Sequence, residues 1–244
     1  LGDVYKRQTL MMLLLALGLC LIGCGKNPSV LSQQKRPHKP ISNNTSDDIQ
    51  FEEVTAFEDI KKLANEGHAE AQTSMGFMYA EGKEVEQSYV KALKWWMMAA
   101  NQGNAQATHN IGFSYEAGEG VKQDFEEASR WYQKSADQGF IDSQVNLGNL
   151  YSDGRGVEQN YKKAIHWYRK AANQGGAVAQ HNLGVIYSYG KGVEQDHNEA
   201  LKWFRKSAEK GYAKAQYSIG LRYERGEGCP VDFEEASKWY QAAA

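Results

Sequence analysis

Residues Tyr151–Gly175 read "YSDGRGVEQNYKKAIHWYRKAANQG", and 36 positions later Tyr187–Gly211 read "YSYGKGVEQDHNEALKWFRKSAEKG". Followed outward, the phrase recurs in five registers without insertion, beginning at Ala69, Ala105, Ile141, Ala177 and Ala213. Gly76, Gly112, Gly148, Gly184 and Gly220 share one phase, Tyr79, Tyr115, Tyr151, Tyr187 and Tyr223 another, and Trp95, Trp131, Trp167, Trp203 and Trp239 a third. A period between about 20 and 50 residues is the mark of stacked supersecondary units, so it decides the fold class before any local propensity is weighed.

Each unit divides into two helices. The first, as in Ala105–Glu116, carries Ala, Leu or Ile, Gly and Tyr three to four positions apart, which places them on one face. A glycine in mid-helix costs up to about 1 kcal/mol relative to alanine. Five such sites predict close approach of the paired helix, with the Trp phase as the side chain that needs room. The second helix opens at Ser88, Asp124, Asn160, Asp196 and Asp232, all strong N-cap types. Asp124 with Glu127, Asp196 with Glu199 and Asp232 with Glu235 have capping-box spacing. Gly103, Gly139, Gly175 and Gly211 close it, where a left-handed cap is expected.

The loop between the helices reads "GEGV", "GRGV" or "GKGV". No strand precedes it and no GK[ST] follows, so it is a structural turn and not a phosphate cradle. The first loop, "GKEV", lacks the second glycine and the fifth carries Cys229-Pro230, so these two are expected to differ in shape. Val54–Asn65 has the phase of a second helix, with Ile60 where Trp96 stands in the next unit. The expectation is an all-α protein, an α/α superhelical solenoid of helix-turn-helix repeats. Its five 36-residue repeats fill 69–244 behind a capping helix within 51–68. The last residues, "KWYQAAA", have no closing glycine, and the natural chain is expected to continue beyond Ala244.

The front of the chain has another grammar. Leu10–Ile22, "LMMLLLALGLCLI", is an apolar run of 13 residues preceded by Lys6 and Arg7. That is short for a membrane span and right for the core of a signal peptide. The run closes on "LIGC", Leu21–Cys24, which resembles the bacterial lipobox. The resemblance implies a signal peptide over 1–23 and a lipid on Cys24. Gly25, in place of aspartate, implies an outer-membrane lipoprotein facing the periplasm in a Gram-negative cell. Residues 24–50 hold three of the four prolines among Ser, Asn, Gln and Lys, with no apolar period, and read as a disordered tether. Such a tether reaches roughly 25–30 Å.

The repeated pattern A-x-A-Q-x-N-L-G-x-x-Y-x-x-G-x-G-V-x-Q-[DN]-[YF]-x-x-A-x-x-W-[YF]-x-[KR]-[AS]-A-x-x-G resembles the Sel-one-like repeat family, a branch of the tetratricopeptide-repeat superfamily with a longer inter-helix loop. The resemblance covers Val54–Ala244. It implies a scaffold or adaptor for protein complexes, with the first helices lining a concave face.

Little in the sequence points to catalysis. The six histidines form no H-E-x-x-H and no i, i+4 pair. His109 and His181 share a phase two units apart, beyond the reach of one metal ion. Glu126-Glu127 and Glu234-Glu235 read as first-turn acids complementing a helix dipole. A cysteine-rich branch of the family is associated with penicillin binding and weak hydrolysis. The three cysteines Cys20, Cys24 and Cys229 do not form the pairs of that branch, and the chain reads as a non-enzyme without cofactor or metal. An envelope hydrolase and a secreted or surface effector that engages a foreign protein stand as alternatives. The net charge of −2 provides no basic field for nucleic acid.

Partner recognition falls to phases not used in the core. One runs Ser74, Asn110, Asn146, Asn182 and Ser218. A carboxamide offers a donor and an acceptor, matching one peptide unit, so these residues either hold an extended peptide or stabilise the repeat itself. A second phase carries His109, His181 and Tyr217, and a third Phe77, Phe113, Val185 and Leu221. The apolar members either form an open contact patch or pack against the neighbouring helix. The expected activity is capture of a protein or extended peptide in the concave groove by a lipid-anchored scaffold that assists an envelope or secretion complex.

Overall fold

The computed structural model describes residues 57–244. The expected signal peptide, Cys24, the expected tether and residues 51–56 of the expected capping segment lie outside them. All regular structure among the described residues is α-helical. Helix α1 covers residues 57–65. Five helix pairs follow: α2 (Ala69–Glu81) and α3 (Tyr89–Ala100), α4 (Ala105–Ala117) and α5 (Phe125–Asp137), α6 (Ile141–Asp153) and α7 (Tyr161–Asn173), α8 (Ala177–Tyr189) and α9 (His197–Ala208), α10 (Ala213–Arg225) and α11 (Phe233–Ala242). The chain divides into two compact units, Leu1–Gln102 and Gly103–Ala244. In the second, four consecutive pairs stack, each second helix packing on the first helix of the next repeat.

The repeat motif is written in hydrogen bonds as much as in apolar contacts. Each first helix ends at a left-handed glycine: Gly82, Gly118, Gly154, Gly190 or Gly226. Four residues of the loop phase, Gln87, Gln123, Gln159 and Gln195, donate their amides back to carbonyls in the last turn of that helix at 2.7–2.8 Å. These carbonyls lack intrahelical partners, so the glutamine closes the loop onto the helix end. The N-cap side chains of Ser88, Asp124, Asn160, Asp196 and Asp232 all accept from the first turn of the second helix. The capping box is only half formed. The N-cap backbone N–H donates to the carbonyl of the preceding repeat tyrosine, for example Asp124 to Tyr115 at 2.9 Å. Glu127, Glu199 and Glu235 turn instead to Arg130, Lys202 and Lys238.

The first loop keeps the backbone of the others: Glu84 adopts φ 63° where later repeats place a glycine. The fifth loop also keeps both positive-φ positions, Gly226 and Gly228, and Cys229 stands where valine does elsewhere, packed against the Ala200–Ile219 core. Neither loop differs in the expected way, because the left-handed turn is set by closure onto the helix and not by residue type alone.

The mid-helix glycines do mark close approach, but to a different ring. A Cβ on Gly148 would lie 2.5 Å from Tyr168, one on Gly184 2.5 Å from Phe204, and one on Gly76 2.2 Å from Trp96. The ring that needs room follows the Trp phase by one residue. The Trp phase itself faces the preceding repeat: Trp167 joins the core of Ala128, Tyr132, Leu147 and Leu150, and Trp203 packs on the cluster around Ala164 and Leu183. Adjacent positions on a helix point about 100° apart, so one ring seals the repeat and its neighbour seals the stack.

Candidate functional site

In the first unit, Ser74 donates to its own helix at the Glu70 carbonyl, 3.0 Å away, and Phe77 packs edge-on to Trp96 with centroids 5.7 Å apart. Both residues are half-buried. They lie on α2 and are described apart from the second unit, which holds the remaining candidates.

On α4, His109 is spent on stacking the repeats. Its ring lies 5.3 Å from Tyr132 and 5.1 Å from Phe140. Nδ1 is 2.8 Å from the hydroxyl of Ser143, which donates to Ser135, which donates to the Ala105 carbonyl. A His–Ser pair at that distance has the geometry of an activated nucleophile. Here the only hydroxyl proton of Ser143 is committed to Ser135, so the imidazole must donate and cannot act as its base. Both serines are fully buried, and burial holds the His109 pKa down at about 4.

The asparagine phase is divided. Asn110 is buried and its Nδ2 has no acceptor among the described residues. Asn146 is half-buried. Asn182 donates to Asn149 at 3.2 Å, and Asn149 also accepts from the Tyr168 hydroxyl at 2.7 Å. Beside them the Tyr132 hydroxyl donates to Glu116 at 2.7 Å, and Arg155 reaches the other oxygen of that carboxylate at 3.2 Å. This Tyr–Glu–Arg network was not legible, because its members come from three different phases. Val185 packs against the Ala200–Ile219 core, whereas Phe113 is 47% exposed.

Four predicted residues come together. His181, Tyr217, Ser218 and Leu221 line an open groove of about 800 Å³ with Lys214, Glu224, Tyr240 and three alanines, Ala213, Ala243 and Ala244. The Tyr217 ring, 53% exposed, leans on Tyr240 with centroids 5.3 Å apart. Tyr240 donates to Glu224 at 2.6 Å, and partial burial with that carboxylate pushes its pKa up to about 12. His181 Nε2 lies 3.3 Å from Ser218 Oγ, and its ring stacks on Phe204 and Tyr212. Burial lowers its pKa. The groove thus has an aromatic wall, an apolar floor, one ammonium at Lys214 and a carboxylate already engaged. In the preceding repeats the positions equivalent to Tyr217, His109 and His181, are covered by a ring of the next repeat, Phe140 or Tyr212, so this groove is the surface on which a further repeat would stack. Lys214, Glu224 and Tyr240 escaped the sequence reading because Tyr240 occupies a core phase in the other repeats. Among the described residues no group of His, Cys, Asp and Glu could hold a metal ion, and no helix is long and apolar enough to cross a membrane.

The Sel1 repeat pattern matches residues 69–104, 105–140, 141–176, 177–212 and 213–244. The chain belongs to the Sel1 repeat family. Sel1 repeat proteins are protein-interaction scaffolds, and their fold is typically non-catalytic. A Sel1 repeat protein from Oxalobacter formigenes is 34% identical, with 80% of this chain and 79% of that one covered and a TM-score of 0.74. A protective antigen of uropathogenic Escherichia coli with an SLR fold is 35% identical over 77% of this chain, again with a TM-score of 0.74. This chain spans 40% of that structure's length. An immunity protein of Pseudomonas aeruginosa, Pa5087, is 22% identical, covers 78% of this chain and 72% of its own with a TM-score of 0.54, and shares the fold alone. No curated protein matches the sequence.

Proposed function

We propose that this Sel1 repeat protein is a lipid-anchored scaffold of the bacterial envelope. It binds a protein or extended peptide on the face of its first helices and assists assembly of an envelope or secretion complex. The observation that carries the reading is Phe113, a large apolar ring 47% exposed on a first helix, at a phase chosen from the sequence. Exposed aromatics in a concave setting are typical anchors of protein contacts. Asn146 and Asn182, on the first helices of the next two repeats, supply amides for a peptide backbone. The anchor rests on the sequence at Leu10–Cys24 and holds the body within tether reach of a membrane.

The test is capture from solubilised envelopes with the chain as bait. Replacing Phe113, Tyr217 and Leu221 together by alanine is expected to abolish capture while far-ultraviolet dichroism stays unchanged. Undiminished capture rejects the groove. Separately, Cys24→Ser is expected to move the protein from the membrane fraction to the soluble fraction, and retention in the membrane rejects the lipid anchor.

A further inference from the structure

Two junctions of the second unit are closed by an arginine. Arg169 of α7 donates to the hydroxyl of Tyr187 on α8 at 2.6 Å, and Arg205 of α9 donates to that of Tyr223 on α10 at 2.8 Å. The junction of α5 with α6 has the same tyrosine, Tyr151, but Gln133 stands where the arginine does. Gln133 turns its Nε2 to Asp137 at 2.9 Å and leaves the Tyr151 hydroxyl without that donor. A second side chain is shorter at this junction: Ser129 takes the position of Ile165 and Leu201. Gln133 and Ser129 both line a pocket of about 470 Å³, with Leu147, Tyr151, Trp131 and Glu127. Acceptors are available in it. The Tyr151 oxygen and Gln133 Oε1 can accept, and Glu127 gives only one of its two carboxylate oxygens to Arg130. Ser129 offers no proton, since its hydroxyl donates to the Glu126 carbonyl at 2.8 Å.

We infer that this pocket receives an arginine side chain of a protein partner, which places its guanidinium where Arg169 and Arg205 place theirs. The array supplies its own precedent, because the later repeats fill the equivalent position with that group. A guanidinium is a planar fork of donors that reaches several acceptors at once and lies against aromatic rings, whereas an ammonium is a compact point charge. The half-buried rings of Trp131 and Tyr151 cover its apolar stem. Lys134 lies over Trp131 at 4.2 Å and does not oppose this occupant. Lys170 and Lys206 hold the same place over Trp167 and Trp203, next in sequence to Arg169 and Arg205. Around the pocket the charges of Arg130, Lys134 and Lys163 are matched by those of Glu126, Glu127 and Asp137. The contact is additional to the one at Phe113 and does not depend on it.

The test uses the full chain, expressed in a bacterial host with 5-fluorotryptophan and held in detergent micelles. The fluorine resonance of Trp131 is assigned with Trp131→Phe. The probes are acetyl-Gly-Arg-Gly-amide and its twins with lysine or leucine in the arginine's place. The Trp131 line is expected to shift saturably with the arginine peptide, and several-fold less with either twin at equal concentration. Gln133→Arg copies the residue of the later repeats, so the fold is kept, and the shift should be lost because the chain fills its own pocket. Tyr151→Phe keeps the ring, removes the acceptor and should weaken binding several-fold. A Trp131 line that does not move, that moves equally with lysine or leucine, or that still moves fully in Gln133→Arg overturns the inference. The alanine replacements at Phe113, Tyr217 and Leu221 should leave this shift unchanged, so failure of the first-helix face and failure of the pocket are told apart.

Discussion

Gly148 shows how one missing methyl sets the thickness of a repeat. Its backbone passes close to Tyr168, and an added Cβ would sit 2.5 Å from the ring. Gly148→Ala improves helix propensity yet is expected to lower stability by about 1–3 kcal/mol, because the ring is buried and held at its hydroxyl by Asn149. Gly139→Ala is the control. Its φ is 91° and nothing lies within 4 Å of the new methyl, so only backbone strain of about 1 kcal/mol remains. Urea midpoints of the two variants should separate, and a neutral Gly148→Ala would refute the close-packing account. His109 provides a pH readout. Its pKa is lowered from 6.5 to about 4, so the unfolded state binds the proton first and stability falls as pH drops through that window. The loss is about 1.4 kcal/mol per pH unit until the folded form titrates. His109→Gln should flatten the stability profile between pH 6.5 and 4, and an unchanged slope would assign the acid sensitivity elsewhere.

Helix termini carry most of the connectivity between repeats. Gln144 donates to the Ala136 carbonyl and Gln180 to Ala172, both at 3.1 Å, so α6 and α8 each cap the end of the second helix before it. Gln144→Ala should cost about 0.5–1.5 kcal/mol by removing that buried hydrogen bond, the Gly139 N–H still reaching the carbonyl at 3.0 Å. The opposite sign is expected at the start of α7. Replacing Lys162 and Lys163 by glutamate places the dipole-complementing acids of α5, α9 and α11 in α7 and should stabilise the fold by about 0.3–1 kcal/mol for each position. Thermal denaturation checks both. Destabilisation by the double reversal would mean that the contact of Lys163 with the Tyr151 ring, 5.0 Å away, outweighs the dipole. The helices, their caps and their closing glycines were legible, since N-cap and glycine chemistry is local. The half-formed capping box was not. Whether a glutamate reaches back depends on who already occupies the N-cap N–H, and the carbonyl of a distant tyrosine takes it.

Across the molecule, stability is expected to be a sum of repeat and neighbour contributions. Deleting residues 177–212, one whole repeat, brings α7 against α10 in the register that α8 now holds. The shortened chain should remain helical with a lower denaturation midpoint, whereas removal of half a repeat from the same place should abolish cooperative unfolding. Circular dichroism through a urea titration distinguishes the outcomes. A whole-repeat deletion that fails to fold would show that the repeats are not interchangeable units.

The 36-residue period by itself determined the all-α repeat fold and the limits of every unit, because period, capping residues and glycines are properties of neighbours along the chain. It also determined which phases vary. Which ring enters beside each mid-helix glycine, and that His109 and His181 are consumed by stacking on the next repeat, were decided only by the tertiary structure. The reason is geometric: one residue step turns a side chain by about 100°, and contacts between repeats join residues some 30 positions apart whose mutual orientation no local pattern encodes.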